Sequence, residues 1–242
     1  MKHPNKIKGK KVAIFDIDGT IFRSSLLIEI VSEFIKEGIF SDSVKDIYAD
    51  AYDAWLNRKD SYEKYIMAVV SAFEQNIRGI SHKDFVRISK KIISSQQNHV
   101  YRYTRDLIKE LKKKNYYILA ISYSPKEILD EFCKGLGFSK VYGRMYETDK
   151  KGKFTGGTLY FDLISDKAKI LRRAVEKENL TLVGSIGVGD SESDIAFLKL
   201  VERPICFNPN NKLYKYAKSH QWEMVVERKD VIYHLKCNGS EL

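Results

Sequence analysis

The chain has 242 residues, 43% of them hydrophobic and 31% charged, with a net charge of +10 and three cysteines. That length can bury a sizeable core, and no apolar segment approaches the roughly 18 residues that span a bilayer, so a disordered or membrane-spanning chain is excluded. Cys133, Cys206 and Cys237 are far apart and odd in number, which argues against a disulfide framework and for a reducing compartment, the cytoplasm.

The basic start "MKHPNKIKGKK" is followed by a short apolar run that soon meets acidic residues, so a secretory leader is not expected. The lysines are spread along the chain, as in "KELKKKN" and "SDKAKILRR", and read as solvated helix faces and ends. A basic surface attracts anions, but no nucleic-acid motif accompanies it. Nucleic acid, an acidic membrane or a phosphorylated small molecule would each suit such a surface, and without such a motif nucleic acid is not the expected partner.

"VAIFDIDGTIF", Val12 to Phe22, reads as a buried strand that ends in Asp16, Asp18 and Gly19-Thr20. From Ser24 to Asn98 the pattern is almost wholly helical. Leu27, Ile30, Val31, Phe34 and Ile35 form one stripe of 3.6-residue period, with Ser24 or Ser25 as cap and Gly38 as stop. "SVKDIYADAYDAWLN", "SYEKYIMAVVSAFEQN" and "SHKDFVRISKKIISSQ" follow, with Ser61 and Ser81 as N-caps. Tyr48, Tyr52, Trp55, Tyr62 and Tyr65 lie at helical spacing and read as core packing.

From His99 onward helices and strands alternate. "TRDLIKELKKKN" leads into the strand "YYILAIS", and a helix follows Pro125. A strand near Val141–Glu147 and a hairpin through Gly152 and Gly156–Gly157 with "TLYFD" come next. A helix over Ser165–Asn179, a second buried strand "TLVGSIGVGD", a short helix, the strand "RPICFN" and the helix "NKLYKYAKSH" complete the pattern. Such alternation, with strands apolar on both faces, predicts an α/β core with a parallel sheet and helices on both faces. The core would comprise residues 1–23 and 99–242, interrupted by an all-helical insertion at 24–98. Ligands of such cores bind at the carboxyl ends of the strands. An insertion leaving the end of the first strand would lie over that site as a cap.

Four segments at strand ends or helix starts can carry chemistry: Asp16–Thr20, Ser122, Lys167 and Asp190–Asp194. Asp16 and Asp18 are two apart, so an extended chain would point both to one side. The first suits a nucleophile and metal ligand, the second a proton donor and acceptor. An Asx-turn at a strand end is the plainer alternative for "DxDGT". An EF-hand fails, because Ile21 and Leu27 stand where glycine and glutamate are required, and "GDSESD" fails likewise at Ile195. No G-x-x-x-x-G-K-[ST] occurs.

Ser122 could give a phosphate its hydroxyl or cap the next helix. Lys167 sits near a helix start, where a cation is disfavoured by the dipole, which hints at a task; Lys169 lies on another helix face. Adjacent strand ends carrying Asp16, Asp18 and Asp190 would bring three carboxylates within a few ångströms. A hard cation relieves that repulsion, and an all-oxygen donor set suits Mg²⁺.

In order, "DIDGT", Ser122 after an apolar strand, Lys167 and "GDSESD" resemble the four motifs of the haloacid dehalogenase superfamily of phosphohydrolases. The resemblance covers the core. "SYSP", "LGF", "GKFTGG" and "DKAKIL", with a helical insertion after the first motif, resemble its subfamily IB, the phosphoserine-phosphatase-like branch. It implies a Rossmann-like core with a type C1 cap and a Mg²⁺-dependent phosphomonoester hydrolase working through an aspartyl-phosphate. In that scheme Asp16 attacks phosphorus and Asp18 is acid and base. Mg²⁺ is held by Asp16, the Asp18 carbonyl and Asp190, with Asp194 ordering the outer shell. Thr20, Ser122 and Lys167 hold the phosphoryl group.

The chain departs from that branch in two respects, at the cap glutamate and in having no identifiable cap arginine. Phosphoserine phosphatases carry a glutamate early in the cap, and this chain has Ser25 there. Glu29 and Glu33 lie one and two turns further along as substitutes. Arg58, Arg78 and Arg87 are the candidates for a carboxylate-gripping arginine. Ser25 and Glu29 are therefore the expected determinants of substrate choice, and the substrate need not be phosphoserine. A phosphotransferase using the same intermediate and a nucleic-acid-end phosphatase are the alternative readings.

Overall fold

A computed structural model describes residues 9–235, so Cys237 lies outside the described residues. Strand β1 (Lys10–Phe15) is followed by helices α1 (Leu26–Lys36), α2 (Asp46–Leu56), α3 (Tyr62–Asn76), α4 (His82–Gln96) and α5 (Arg102–Lys113). Then come β2 (Tyr117–Pro125), α6 (Lys126–Leu136), β3 (Lys140–Thr148), β4 (Phe154–Leu159), α7 (Phe161–Ile164) and α8 (Lys167–Lys177). The last part holds β5 (Leu180–Gly189), α9 (Ile195–Leu198), β6 (Arg203–Phe207), α10 (Asn211–His220), β7 (Glu223–Arg228) and β8 (Val231–Leu235).

The eight strands form one sheet in the order β4-β3-β2-β1-β5-β6-β7-β8. Strands β3 to β7 in that order are parallel neighbours, and the edge strands β4 and β8 run antiparallel. The period-2 alternation of β1 explains why the sheet is covered on both sides. Ala13 and Phe15 enter one core with α1, α3, α4, α5 and α6. Val12 and Ile14 enter the other, with α8, α9 and α10. This is the α/β architecture expected of the sequence, with β1 central and its carboxyl end next to that of β5.

Helices α1, α3 and α4 share one apolar core in which Phe34, Phe40, Phe73 and Phe85 meet edge to face or tilted. Ser61 and Ser81 cap as expected, accepting from the Lys64 and Lys83 amides at 3.3 and 3.2 Å. Ser25 is the N-cap residue of α1, yet its side chain makes no capping bond. Helix α2 buries no residue and rests on α3 through Tyr48, Tyr52 and Trp55. Tyr65 is buried among these rings, whereas Tyr52 and Tyr62 keep 38% and 40% of their surface, so the aromatic stripe is only partly core.

One local expectation changes. "TLYFD" is not strand throughout: Tyr160 takes a left-handed conformation (φ 54°) and Phe161 opens α7. Strands β7 and β8 carry no expectation from the sequence. Their turn places Lys229 at φ 54° without a glycine, and β8 is an exposed edge, so neither a turn signal nor an alternating burial pattern marks them.

Candidate active site

The site lies where β1 and β5 end side by side, with Phe15 paired to Val188 and the Asp16 amide donating to the Val188 carbonyl at 3.0 Å. Strand β1 stops at Phe15, and the chain then wraps around the Ile17 carbonyl, which accepts from the amides of Ile21 and Phe22 at 2.8 and 2.9 Å. The backbone turns here, and Asp16 and Asp18 take different partners. They enter different environments.

Asp16 is buried. Its Oδ1 accepts from Lys167 Nζ at 2.7 Å, and the same ammonium donates to Asp194 Oδ1 at 2.6 Å. Lys167 is 2% exposed and is the first residue of α8, whose N-cap Asp166 accepts from the Ala168 and Lys169 amides. The dipole cost of a cation there is offset by two carboxylates. Lys169 points outward, toward the Asp162 carbonyl.

Asp190 follows β5, and Thr20 shares its hydroxyl proton between Asp16 Oδ2 at 3.2 Å and Asp190 Oδ1 at 3.3 Å. Asp194 Oδ2 accepts from the amides of Asp190 and Ser191, both at 3.0 Å, and so fixes the turn that carries Asp190. Two glycines make room. Gly19 has φ +76°, and a Cβ on it would stand 2.9 Å from Asp190 Cγ. A Cβ on Gly189 would stand 2.6 Å from Asp194 Cγ.

Carboxylate oxygens of Asp16, Asp190 and Asp194 lie within 4.8 Å of one another. Three carboxylates against the one Lys167 ammonium leave two uncompensated negative charges. Burial, with the neighbouring Asp194 and Asp18 charges and against Lys167, pushes Asp16 up to about 7. Burial and the Asp16 charge likewise push Asp190 well above the usual carboxylate range. Burial works against the Lys167 charge, but Asp16 and Asp194 outweigh it and hold the ammonium above its ordinary value. A hard divalent cation on oxygen donors balances this charge, so the residues fit Mg²⁺. The expected trio of carboxylates had Asp18 where the structure brings in Asp194.

Asp18 stands outside that cluster. Its Oδ1 accepts from the Leu26 amide at 2.7 Å, the first amide of α1. Its Oδ2 accepts from Ser122 Oγ at 2.7 Å and Ser124 Oγ at 2.8 Å. Ser122 thus does not cap α6, whose N-cap residue is Pro125. Ser124 was not anticipated, although a Ser-x-Ser pair at a strand end puts both hydroxyls on one face.

Of the expected selectivity residues, Ser25 is buried beside Leu26. Glu29 is half-buried and accepts from Gln96 Nε2 at 2.6 Å. Arg58, Arg78 and Arg87 are exposed, and Arg87 pairs with Glu37 and Asp84 instead of the site. Tyr62 was read as core. Burial and then the charges of Asp18 and Asp190 raise its phenol, although the ring keeps 40% of its surface. The next residue, Glu63, meets Lys212 Nζ at 2.6 Å, which also meets Glu192 at 2.7 Å.

The fold and this acidic strand-end site define a hydrolase class. Residues 13–199 match the haloacid dehalogenase-like hydrolase family, and the chain belongs to that family. It is 25% identical over 226 residues to a histidinol-phosphatase of Neisseria meningitidis, covering 89% of this chain and 98% of that one. It is 23% identical to a phosphoserine phosphatase of Archaeoglobus fulgidus, covering 86% of this chain and 55% of that one. Its fold matches a solved phospho-aspartyl intermediate analogue of phosphoserine phosphatase with a TM-score of 0.61 and 21% identity, over 92% of this chain and 96% of that one. No helix among the described residues is long and apolar enough to cross a membrane.

Proposed function

We propose that the protein is a Mg²⁺-dependent phosphomonoester hydrolase that works through an aspartyl-phosphate on Asp16 and acts on a small phosphorylated metabolite in the cytoplasm. The observation that carries this is the different setting of two aspartates one residue apart. Asp16 is held by a buried ammonium among acidic neighbours, and Asp18 by neutral hydroxyl and amide donors.

Asp16 attacks phosphorus as the bond from phosphorus to the leaving oxygen breaks, and Asp18 gives that oxygen its proton. A water oxygen then bonds to phosphorus, its proton passes to Asp18, and the bond from Asp16 to phosphorus breaks. Phosphate leaves and both aspartates are restored. Lys167, Thr20 and Ser122 hold the transferring group, and Asp194 keeps Asp190 and Lys167 in place. Asp16, the Asp18 carbonyl and Asp190 would hold Mg²⁺, which when bound supplies charge neutralisation for the carboxylates and the phosphoryl oxygens. We take residues 24–98 as the cap over this site, with Ser25 and Glu29 as selectivity residues. The names of the two relatives support a small phosphorylated substrate.

The test is turnover over a panel of phosphorylated metabolites and an aryl phosphate with Mg²⁺, with Asp16→Asn as control. Wild-type turnover that Asp16→Asn abolishes supports the reading. No turnover on any member, or a variant equal to wild type, overturns it. Product passing to an added alcohol instead of water makes the protein a phosphotransferase. A preference for phosphorylated oligonucleotides makes it a nucleic-acid-end phosphatase.

A further inference from the structure

Asp18 Oδ2 accepts from two serine hydroxyls at once, and the phosphatase reading leaves only one of them a task. Each hydroxyl has a single proton to donate. When Ser122 gives its proton to a bound phosphoryl oxygen, it withdraws it from Asp18. Oδ2 then keeps one donor, Ser124. Asp18 has to stay aimed in that state, because that is when it passes a proton to the leaving oxygen.

The chain around Ser124 is built to hold this geometry. Between β2 and β3, Ile121 pairs with Tyr142 and Pro125 with Arg144, so four steps of β2 face two of β3. This bulge lies at the strand end, where such irregularities re-aim side chains. Gly143 of β3 makes room for it: a Cβ there would stand 3.0 Å from the Ser124 carbonyl oxygen and 3.1 Å from Lys126 Cα. Pro125 keeps Ser124 extended. Ser124 is 4% exposed, and its amide donates to Ser122 Oγ at 3.0 Å. The two serines are thus coupled to one another as well as to Asp18.

We infer that Ser124 is a positioning residue for Asp18, holding the acid and base in line while Ser122 changes partner from Asp18 to phosphate. The inference rests on the phosphatase reading of the site. It separates two roles that share one carboxylate oxygen: Ser122 acts on phosphate binding, Ser124 on proton transfer.

The experiment compares wild type, Ser124→Ala, Ser124→Cys and Ser122→Ala on the best alkyl phosphate of the panel and on an aryl phosphate, with inorganic phosphate as inhibitor. In Ser124→Ala, kcat on the alkyl phosphate is expected to fall about 10- to 100-fold, the usual loss when a partner that orients a functional group is removed. KM and the inhibition constant of phosphate should stay within about twofold, since uniform binding is untouched. With the aryl phosphate, whose leaving group needs little protonation, the first step should survive and the second slow down. The phenol then appears as a burst approaching one per enzyme. Ser124→Cys, a weaker donor of similar size, should fall in between and serves if Ser124→Ala does not fold. Ser122→Ala should weaken phosphate inhibition instead.

A Ser124→Ala or Ser124→Cys protein with wild-type kcat, or one that loses phosphate affinity as Ser122→Ala does and shows no burst, overturns the inference and leaves the phosphatase reading standing. A wild type without turnover removes both.

Discussion

Lys167→Met tests the charge balance of the site most directly. The ammonium it removes is 2% exposed and lies 2.7 Å from Asp16 and 2.6 Å from Asp194. Without divalent cations, its loss turns a site of three carboxylates and one ammonium into one of three carboxylates alone. Breaking a buried pair by removing one partner costs about 3–5 kcal/mol. At about 2–4 °C per kcal/mol for a chain of this size, the melting temperature should drop by about 6–20 °C.

The sign with pH follows from Asp16. Its carboxyl in the folded protein is pushed up to about 7, against 3.8 ordinarily, so the native state binds the proton more tightly than the unfolded chain in that window. Metal-free wild type therefore loses stability from this group as pH rises from 3.8 toward 7. Removing Lys167 raises Asp16 further, and the deficit of the variant should widen with pH above about 7 by up to about 1.4 kcal/mol per pH unit. The assay is thermal melting of both proteins with chelator at about pH 6, 7 and 8, repeated with excess Mg²⁺, which should narrow the gap by mass action. A variant that melts within about 2–4 °C of wild type at every pH, or a gap that does not change with pH or Mg²⁺, refutes the charge balance drawn here.

Other outcomes follow from the same geometry. Gly19→Ala forces a side chain to φ +76° and into the Asp190 carboxylate, so it should cost about 1–2 kcal/mol and abolish Mg²⁺-dependent turnover; a melting curve and activity both like wild type would contradict this. Binding of Mg²⁺ displaces protons from Asp16, held at about 7, and from Asp190, pushed well above the usual carboxylate range, so affinity should rise with pH through that region; calorimetry in two buffers of different ionisation enthalpy should show proton release at about pH 6, and release of none there argues against it. Lys212→Met breaks the Glu63–Lys212–Glu192 bridge, whose members are 47%, 62% and 24% exposed in that order. Exposed pairs contribute about 0–1 kcal/mol, so urea unfolding should show a loss within that range, and a loss of several kcal/mol would show the bridge to be a main tie of α3 to the core.

The parallel sheet, the helical segment after β1 and the four acidic, hydroxyl and lysine segments were legible because each rests on local spacing. Continuous apolar runs mark β1, β2 and β5, and the 3.6-residue stripe marks α1. Asp16 and Asp190 follow two such strands, so their approach follows from strand pairing alone. Strands β7 and β8 were not legible: β8 is an exposed edge with no burial pattern to write into its sequence, and the turn that joins it to β7 carries no glycine. Nor was the departure of Tyr52 and Tyr62 from the core, because helical spacing gives a face but not what covers it.

Which carboxylate goes where was decided only by tertiary structure. By spacing, Asp16 and Asp18 are alike. The turn around the Ile17 carbonyl separates them, giving Asp16 to Lys167 and Asp18 to Ser122, Ser124 and the first amide of α1. Asp194 takes the place of Asp18 in the acidic cluster for the same reason: its partner Lys167 is 27 residues away along the chain, and no local period encodes that distance. Sequence alone determined the residue types and the strand ends that carry them, because those depend on neighbours within a few positions. Side-chain partnership depends on backbone direction at the turns and on elements brought together from far along the chain, and only the folded protein fixes both.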